Sequence, residues 1–159
     1  MTVPIGKHAG NSVVEVMLKD PEYVNWVLQT TGATGKLKLL QNKMQTFIDI
    51  FNSKSFTKKC VGQNCVKTAT RCTAYKDNFN GLHWWCDNCD PYQSGARRGT
   101  LHPISTYEDV LYYVHLFCNN RTSDSISLIK QMAHEKGLPQ RVKKGDIDKF
   151  FLEKGILTF

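Results

Sequence analysis

Long apolar runs are missing from this sequence. Nowhere do roughly 18 apolar residues follow one another, so no segment is expected to cross a membrane as a helix. The opening stretch, MTVPIGKHAGNSVV, has neither the apolar core of a secretory leader nor the arginine-rich amphipathic pattern of an organelle presequence. A cytoplasmic, reducing compartment is the expectation. No Walker A sequence, Gly-x-Ser-x-Gly or His-Glu-x-x-His occurs, which leaves the common forms of phosphoryl transfer and hydrolysis without a signature. There is no internal repeat. Acid is scarce in one region: residues 36 to 76 hold nine lysines and arginines against Asp49 alone, a formal +8 in a chain whose total is +7.

What is present begins with cysteine. Cys60 and Cys65 precede Cys86 and Cys89, giving C-x4-C-x20-C-x2-C. In a reducing compartment, paired cysteines read as metal or redox sites before they read as disulfides. A thioredoxin-type pair would open a helix, whereas CDNCDPYQSG breaks into proline and glycine. Two tight turns, each presenting two thiolates, complete the tetrahedron that zinc prefers and leave no open position, which suits stability and not catalysis. Structural zinc held by Cys60, Cys65, Cys86 and Cys89 is therefore expected. Cys72 and Cys118 lie in apolar patterns and read as packing residues, although Cys72 or His83 remains an alternative ligand. Between the pairs, residues 66 to 76 alternate as a strand, DNFNG supplies turn chemistry, and LHWWC returns as a second strand. Trp84 and Trp85 then face opposite sides.

A charge stripe this polarised is the electrostatic footprint of a phosphate-backbone binder. The candidate contacts are Lys36, Lys38, Lys43, Lys54, Lys58, Lys59, Lys67, Arg71 and Lys76, with Arg97 and Arg98 in the linker SGARRGTLHP and Arg141, Lys143 and Lys144 further on. An acidic protein or an anionic surface would be attracted as well.

Coarse elements follow from periodicity. The first 19 residues read as a short strand and a glycine-bounded turn, and Asp20 with Pro21 starts a helix. Leu37, Leu40, Met44, Phe47, Ile48 and Phe51 form a helical stripe with lysines opposite. Ser105 with Glu108 reads as a capping box for TYEDVLYYVHLFCN, and helices are expected near 123–136, stopped by Gly137, and near 145–154.

The N-terminal residues Gly6, Lys7, His8, Gly10, Asp20, Pro21, Tyr23 and Trp26 match, in order and spacing, the small module at the C-terminus of exodeoxyribonuclease X-type proteins, which this stretch resembles. Ile5 stands where an aromatic is common. The resemblance covers about the first 30 residues and implies association with nucleic-acid processing, because that family's active site lies in a separate acidic domain absent here. In physical terms, Gly6 and Gly10 permit a tight turn that either presents Lys7 to an anion or frames the packing of Tyr23 and Trp26. Residues 126 to 156 resemble a SAP-type helix, loop, helix unit, with Leu128, Met132, Ile147, Phe150 and Phe151 inward and the basic loop outward; such units bind DNA through that loop. An ordinary helical hairpin is the alternative. His102, Pro103, Cys118 and Asn120 are faintly similar to an HNH nuclease segment, with His102 and Asn120 as its functional residues, but Leu101 stands where an acid is usual.

Taken together, the expectation is an α+β chain of small modules: 1–57, the exodeoxyribonuclease X-like module plus a basic amphipathic helix; 58–100, a four-cysteine zinc-ribbon hairpin; 101–159, a helical region. It is expected to be a non-catalytic, zinc-stabilised accessory that binds DNA or RNA and assists a larger repair nuclease or RNA-guided defence nuclease. The alternatives are an HNH-like metal-dependent nuclease, and a protein-interaction adaptor, homodimeric in one form, using Trp84, Trp85, Tyr112, Tyr113 and Phe117.

Overall fold

The computed structural model describes residues 1–75, 78–91 and 103–156, with side chains described for all of these except 75, 78–81 and 153–156. Six helices and one antiparallel hairpin make up the α+β fold among the described residues. In chain order they are α1 (Val13–Lys19), α2 (Pro21–Gln29), α3 (Gly35–Ser53), β1 (Arg71–Tyr75), β2 (Asn78–Trp85), α4 (Tyr107–Phe117), α5 (Thr122–Glu135) and α6 (Asp146–Ile156).

Asp20 divides the first two helices. Pro21 has no N–H to continue α1, yet suits the first turn of α2, and the Asp20 carboxylate accepts from the Tyr23 N–H at 3.1 Å. α1 departs from the strand-and-turn expectation. Its β-branched valines favour a strand, but Val13, Val16 and Met17 fall at helical spacing and are almost wholly buried, so tertiary packing overrides local preference. The only strand-like feature there is a bridge between Thr2 and Ser12.

α3 follows its sequence pattern: Leu40, Met44, Phe47, Ile48 and Phe51 are buried. Phe51 meets Tyr107 of α4 edge-on at 5.5 Å and stacks on Phe151 of α6 at 6.5 Å. The Tyr107 hydroxyl donates to the Met17 carbonyl at 2.6 Å, which satisfies a buried polar group and joins α4 to α1. The cap of α4 lies one residue later than expected, with Thr106 and Asp109 forming the box while Ser105 adds two bonds to Asp109. Gly137, at φ 116°, ends the last turn after α5.

The hairpin is shorter at its start than its alternation suggests. Residues 58 to 69 fold on themselves first: Cys60 N–H donates to Lys67 O, and Ala69 N–H to Lys58 O, which leaves Val66 85% exposed. β1 and β2 pair with Cys72 opposite Trp84 and Tyr75 opposite Asn78, so Asn78 to Gly81, expected as a turn, belong to β2. Ile104 exchanges both backbone bonds with Cys72 on the free edge of β1. The hairpin is sewn to the helices. Trp84 packs on Phe56 at 4.9 Å, the Tyr113 hydroxyl donates to Ala74 O, and the Thr57 N–H donates to Glu135 O at the end of α5. Buried residues from the three stretches expected as modules, among them Met17, Cys72 and Leu128, lie in a single contiguous cluster.

Candidate metal centre and basic surface

The four paired cysteines converge. The sulfurs of Cys60, Cys65, Cys86 and Cys89 all lie within 4.8 Å of one another, and the Cys65 and Cys86 sulfurs are 3.8 Å apart. A tetrahedron with metal–sulfur bonds near 2.3 Å needs sulfur–sulfur edges of about 3.8 Å, so the donor set fits a tetrahedral ion. Four cysteines are thus arranged to hold a metal ion. His83 is exposed and leans over Trp85, and Cys72 is buried in the core with its thiol pushed up to about 12 by burial and by Asp109; neither belongs to the cluster.

Local structure explains the convergence. The first turn closes through Cys65 N–H to Gly62 O, with Asn64 in the left-handed region at φ 60°. The Val61 N–H donates to Trp84 O and the Thr70 N–H to Trp85 O, so β2 carries the second pair to the first. Burial works to raise the Cys86 thiol. Backbone donors at Cys89 and Asn88, then the neighbouring thiols, outweigh it and bring Cys86 down to about 7. Cys89 is instead pushed up to about 12, chiefly by its bond with Cys86 and then by those with Cys65 and Cys60. Thiols hold a metal ion as thiolates, so a cation that loads this site binds with proton release.

Two supports were not read from the sequence. Gly62 approaches the second pair so closely that a Cβ would lie 2.6 Å from the Cys89 sulfur. Arg71 forks onto the second turn, reaching Asp87 at 2.6 Å and the buried Asp90 at 3.1 Å. The Thr70 hydroxyl and then Arg71 hold the Asp87 carboxyl below its ordinary range. Arg71, expected at a nucleic-acid surface, therefore braces the metal site.

The remaining basic candidates are spread unevenly. Lys36, Lys38, Lys58, Lys59, Lys67, Arg141, Lys143 and Lys144 are exposed. Lys43 lies over the Phe47 ring at 5.0 Å and Lys54 over Phe150 at 4.7 Å. Lys7 pairs with Asp20 at 2.7 Å; His8 reaches the same carboxylate, and the Tyr23 hydroxyl donates to Ile5 O. The glycine-bounded turn is thereby locked onto α2, with Trp26 54% exposed beside it. Lys76, Arg97, Arg98 and His102 lie outside the described residues.

Three hollows surround the turn at 137–140. One, of about 580 Å³, is lined by Lys19, Lys130, Lys143 and Lys144 with Glu15 and Asp148. A second, of about 320 Å³, is lined by Lys58, Trp84 and Glu135 and shares His134 and Gln140 with the first. The third, of about 140 Å³, is lined by Lys54, Lys136 and Lys149 with Asp146. Lys58 and the 143–144 loop, far apart in sequence, thus line two hollows that share His134 and Gln140. Lys19 and Lys130 join them, and only the fold reveals that.

Of the aromatic interface candidates, Trp84 and Tyr113 are buried and belong to the core. Trp85 is half-buried, its indole N–H donating to Thr73 at 3.0 Å, and Phe117 is half-buried against Tyr113 at 4.9 Å. Tyr112 is 54% exposed. Asn120, in the left-handed region after α4, pairs with His115 at 3.0 Å. No helix among the described residues is long and apolar enough to cross a membrane. No family model, no curated protein and no solved structure matches the chain.

Proposed function

We propose that the chain is a non-catalytic, zinc-stabilised accessory protein that binds nucleic acid for a larger nucleic-acid-processing enzyme. The metal is zinc, because four thiolates in a closed tetrahedral set favour it over the oxygen-seeking divalent cations. Its role is structural, since every donor is a protein sulfur and none is left for water.

One observation carries the nucleic-acid assignment. The adjoining hollows beside 137–140 place Lys58 next to the metal centre and Lys143 and Lys144 on the α5–α6 loop along the same surface, five lysines against three carboxylates when Lys19 and Lys130 are counted. Concavity with excess cations suits a phosphate backbone, and the amides of Gln131 and Gln140 add neutral hydrogen-bonding groups to the lining. The resemblances at residues 1–30 and 126–156 agree with this reading, and the larger enzyme is a repair nuclease or an RNA-guided defence nuclease.

The test uses fluorescence anisotropy of labelled duplex and single-stranded DNA and RNA with the purified, zinc-loaded chain. Binding is expected to weaken linearly in log K against log salt, and Mg²⁺ or Mn²⁺ is expected to leave every strand intact. Cleavage that disappears in His102→Ala while zinc content stays unchanged would establish the HNH-like nuclease instead. A second reading, the protein-interaction adaptor, is favoured by the exposed Tyr112 and Leu116 near a hollow of about 510 Å³ on α2 and α4. Absence of nucleic-acid binding, with self-association lost in Tyr112→Ser, would select it.

A further inference from the structure

The hollow of about 580 Å³ forms where the end of α1, one side of α5, the α5–α6 loop and the first turn of α6 come together. Its lining is of two kinds. Leu18 and Leu138 are buried, Ile147 is half-buried and Val142 is 43% exposed, so an aliphatic wall continues from the core out to the surface. The second kind is cationic. Lys19 ends α1, Lys130 lies one turn before His134 on α5, and Lys143 and Lys144 come from the loop.

The charges in this lining do not cancel. Lys19 has Glu15 at 3.6 Å, whereas Lys130, Lys143 and Lys144 make no ion pair among the described residues, and Asp148 is the only other acid of the lining. The loop that carries two of these lysines is fixed: the Lys143 N–H donates to the Asp146 carboxylate at 2.6 Å, the Asp146 N–H returns to the Lys143 carbonyl at 3.1 Å, and Gly145 turns the chain at φ 90°. A loop already ordered loses little entropy when a ligand arrives. Two polar groups complete the lining. His134 Nδ1 lies 3.0 Å from the Leu138 carbonyl, which can only accept, so Nε2 is the ring nitrogen left for a ligand. The Gln140 side-chain amide makes no hydrogen bond among the described residues and offers both a donor and an acceptor.

Binding a backbone needs cations but no aliphatic wall. A volume of about 580 Å³ is that of a small-molecule pocket, for which roughly 300–1,000 Å³ is usual. An apolar wall, two hydrogen-bonding groups and a surplus of ammonium groups together match a flat base joined to a phosphate. In a duplex the faces of a base are stacked and only its edges are open, so a base that enters such a hollow must be unpaired. We propose that the hollow takes one unpaired nucleotide, with its base against Leu18, Leu138, Val142 and Ile147 and its phosphate among the lysines. That chemistry is common to a nucleotide within a strand and to a free nucleoside monophosphate. The strand source rests on the nucleic-acid reading above.

The test measures anisotropy of the full, zinc-loaded chain with three labelled duplexes that differ at one position: fully paired, with one bulged adenosine, and with the same bulge made abasic. Tighter binding of the bulged duplex, by about tenfold over both others, is expected from burial of the extra base. Val142→Asp sets a carboxylate in the aliphatic wall and should erase that preference while the paired duplex binds nearly as before. Val142 and Lys144 are exposed, so neither Val142→Asp nor Lys144→Gln threatens the fold, and Lys144→Gln should weaken binding of all three. Calorimetric titration of adenosine 5′-monophosphate, alone and against the bulged duplex, separates the sources. Saturable binding of the monophosphate that Val142→Asp abolishes, with no preference among the duplexes, supports the site with a free nucleotide and removes the strand source. Equal binding of the three duplexes together with no monophosphate binding overturns the proposal and leaves the nucleic-acid reading standing, as does a bulge preference that Val142→Asp leaves intact. Failure of the nucleic-acid reading appears differently, as no binding of any duplex; the proposal then stands only if the monophosphate saturates the hollow, and falls with that reading if it does not.

Discussion

A methyl group on Gly62 would meet the Cys89 sulfur at 2.6 Å and its Cβ at 2.8 Å. Gly62→Ala is therefore expected to lower zinc affinity and stability although it alters no ligand; a variant with full zinc content and unchanged thermal midpoint would contradict the packing described. The cysteine spacing is legible because ligand turns are local. The Gly62 constraint is not, since the atoms it must clear belong to the other turn. Arg71 makes the same point with charge: the sequence displays a cation, but only the fold supplies Asp87 and the buried Asp90. Arg71→Gln removes the charge that faces the buried Asp90 carboxylate, so it is expected to destabilise by about 3 kcal/mol in chemical denaturation. A surface arginine would show almost nothing. Lys136 gives a pH signature. Burial and then Lys54 lower it from 10.5 to about 8. A lysine whose folded value lies below its unfolded one binds fewer protons when folded, so its destabilising effect is complete below about pH 8 and fades toward pH 10.5. The stability of the parent relative to Lys136→Met should accordingly improve across that window, and a constant difference would show that the ammonium is not buried in its charged form.

Among the elements, α3 and α5 were plain in the sequence because their apolar residues recur at helical spacing over several turns and the packing agrees. α1 was not. Its seven residues offer too short a window for period, and its valines point locally to a strand while burial against the other helices decides the outcome. The strand expected from residue 66 fails for a different reason: the first cysteine turn claims residues 60 to 69 before β1 begins. Metal removal should expose this division. The turns rest on few apolar contacts of their own, whereas the helices bury large side chains such as Tyr107, Phe51 and Met17. A chelator is expected to abolish the near-ultraviolet signal of Trp84 and Trp85 and lower the thermal midpoint, leaving most far-ultraviolet helicity. Equal loss of both signals would mean that the helices cannot stand without the metal.

At the scale of the whole molecule, charge that looks like one basic segment is redistributed. Arg71 turns to the metal turns, Lys54 and Lys43 cover aromatic rings, and Lys58 instead lines a hollow that shares His134 and Gln140 with the one lined by loop lysines some 85 residues away in sequence. Net charge was legible; the surface it forms was not, because that depends on which helix end the first cysteine turn is sewn to. The central claim is that this surface binds the phosphate backbone, and salt dependence reports it most directly. Duplex binding by the zinc-loaded chain, followed from low to high salt, is to be compared with Lys58→Glu/Lys143→Glu/Lys144→Glu, whose changes lie outside both the core and the cysteine cluster. The expected result is weaker binding of the variant to every sequence, with a slope of log K against log salt smaller by about 0.9 for each lost phosphate contact. Identical slopes and affinities, with zinc content and fold preserved, would contradict it.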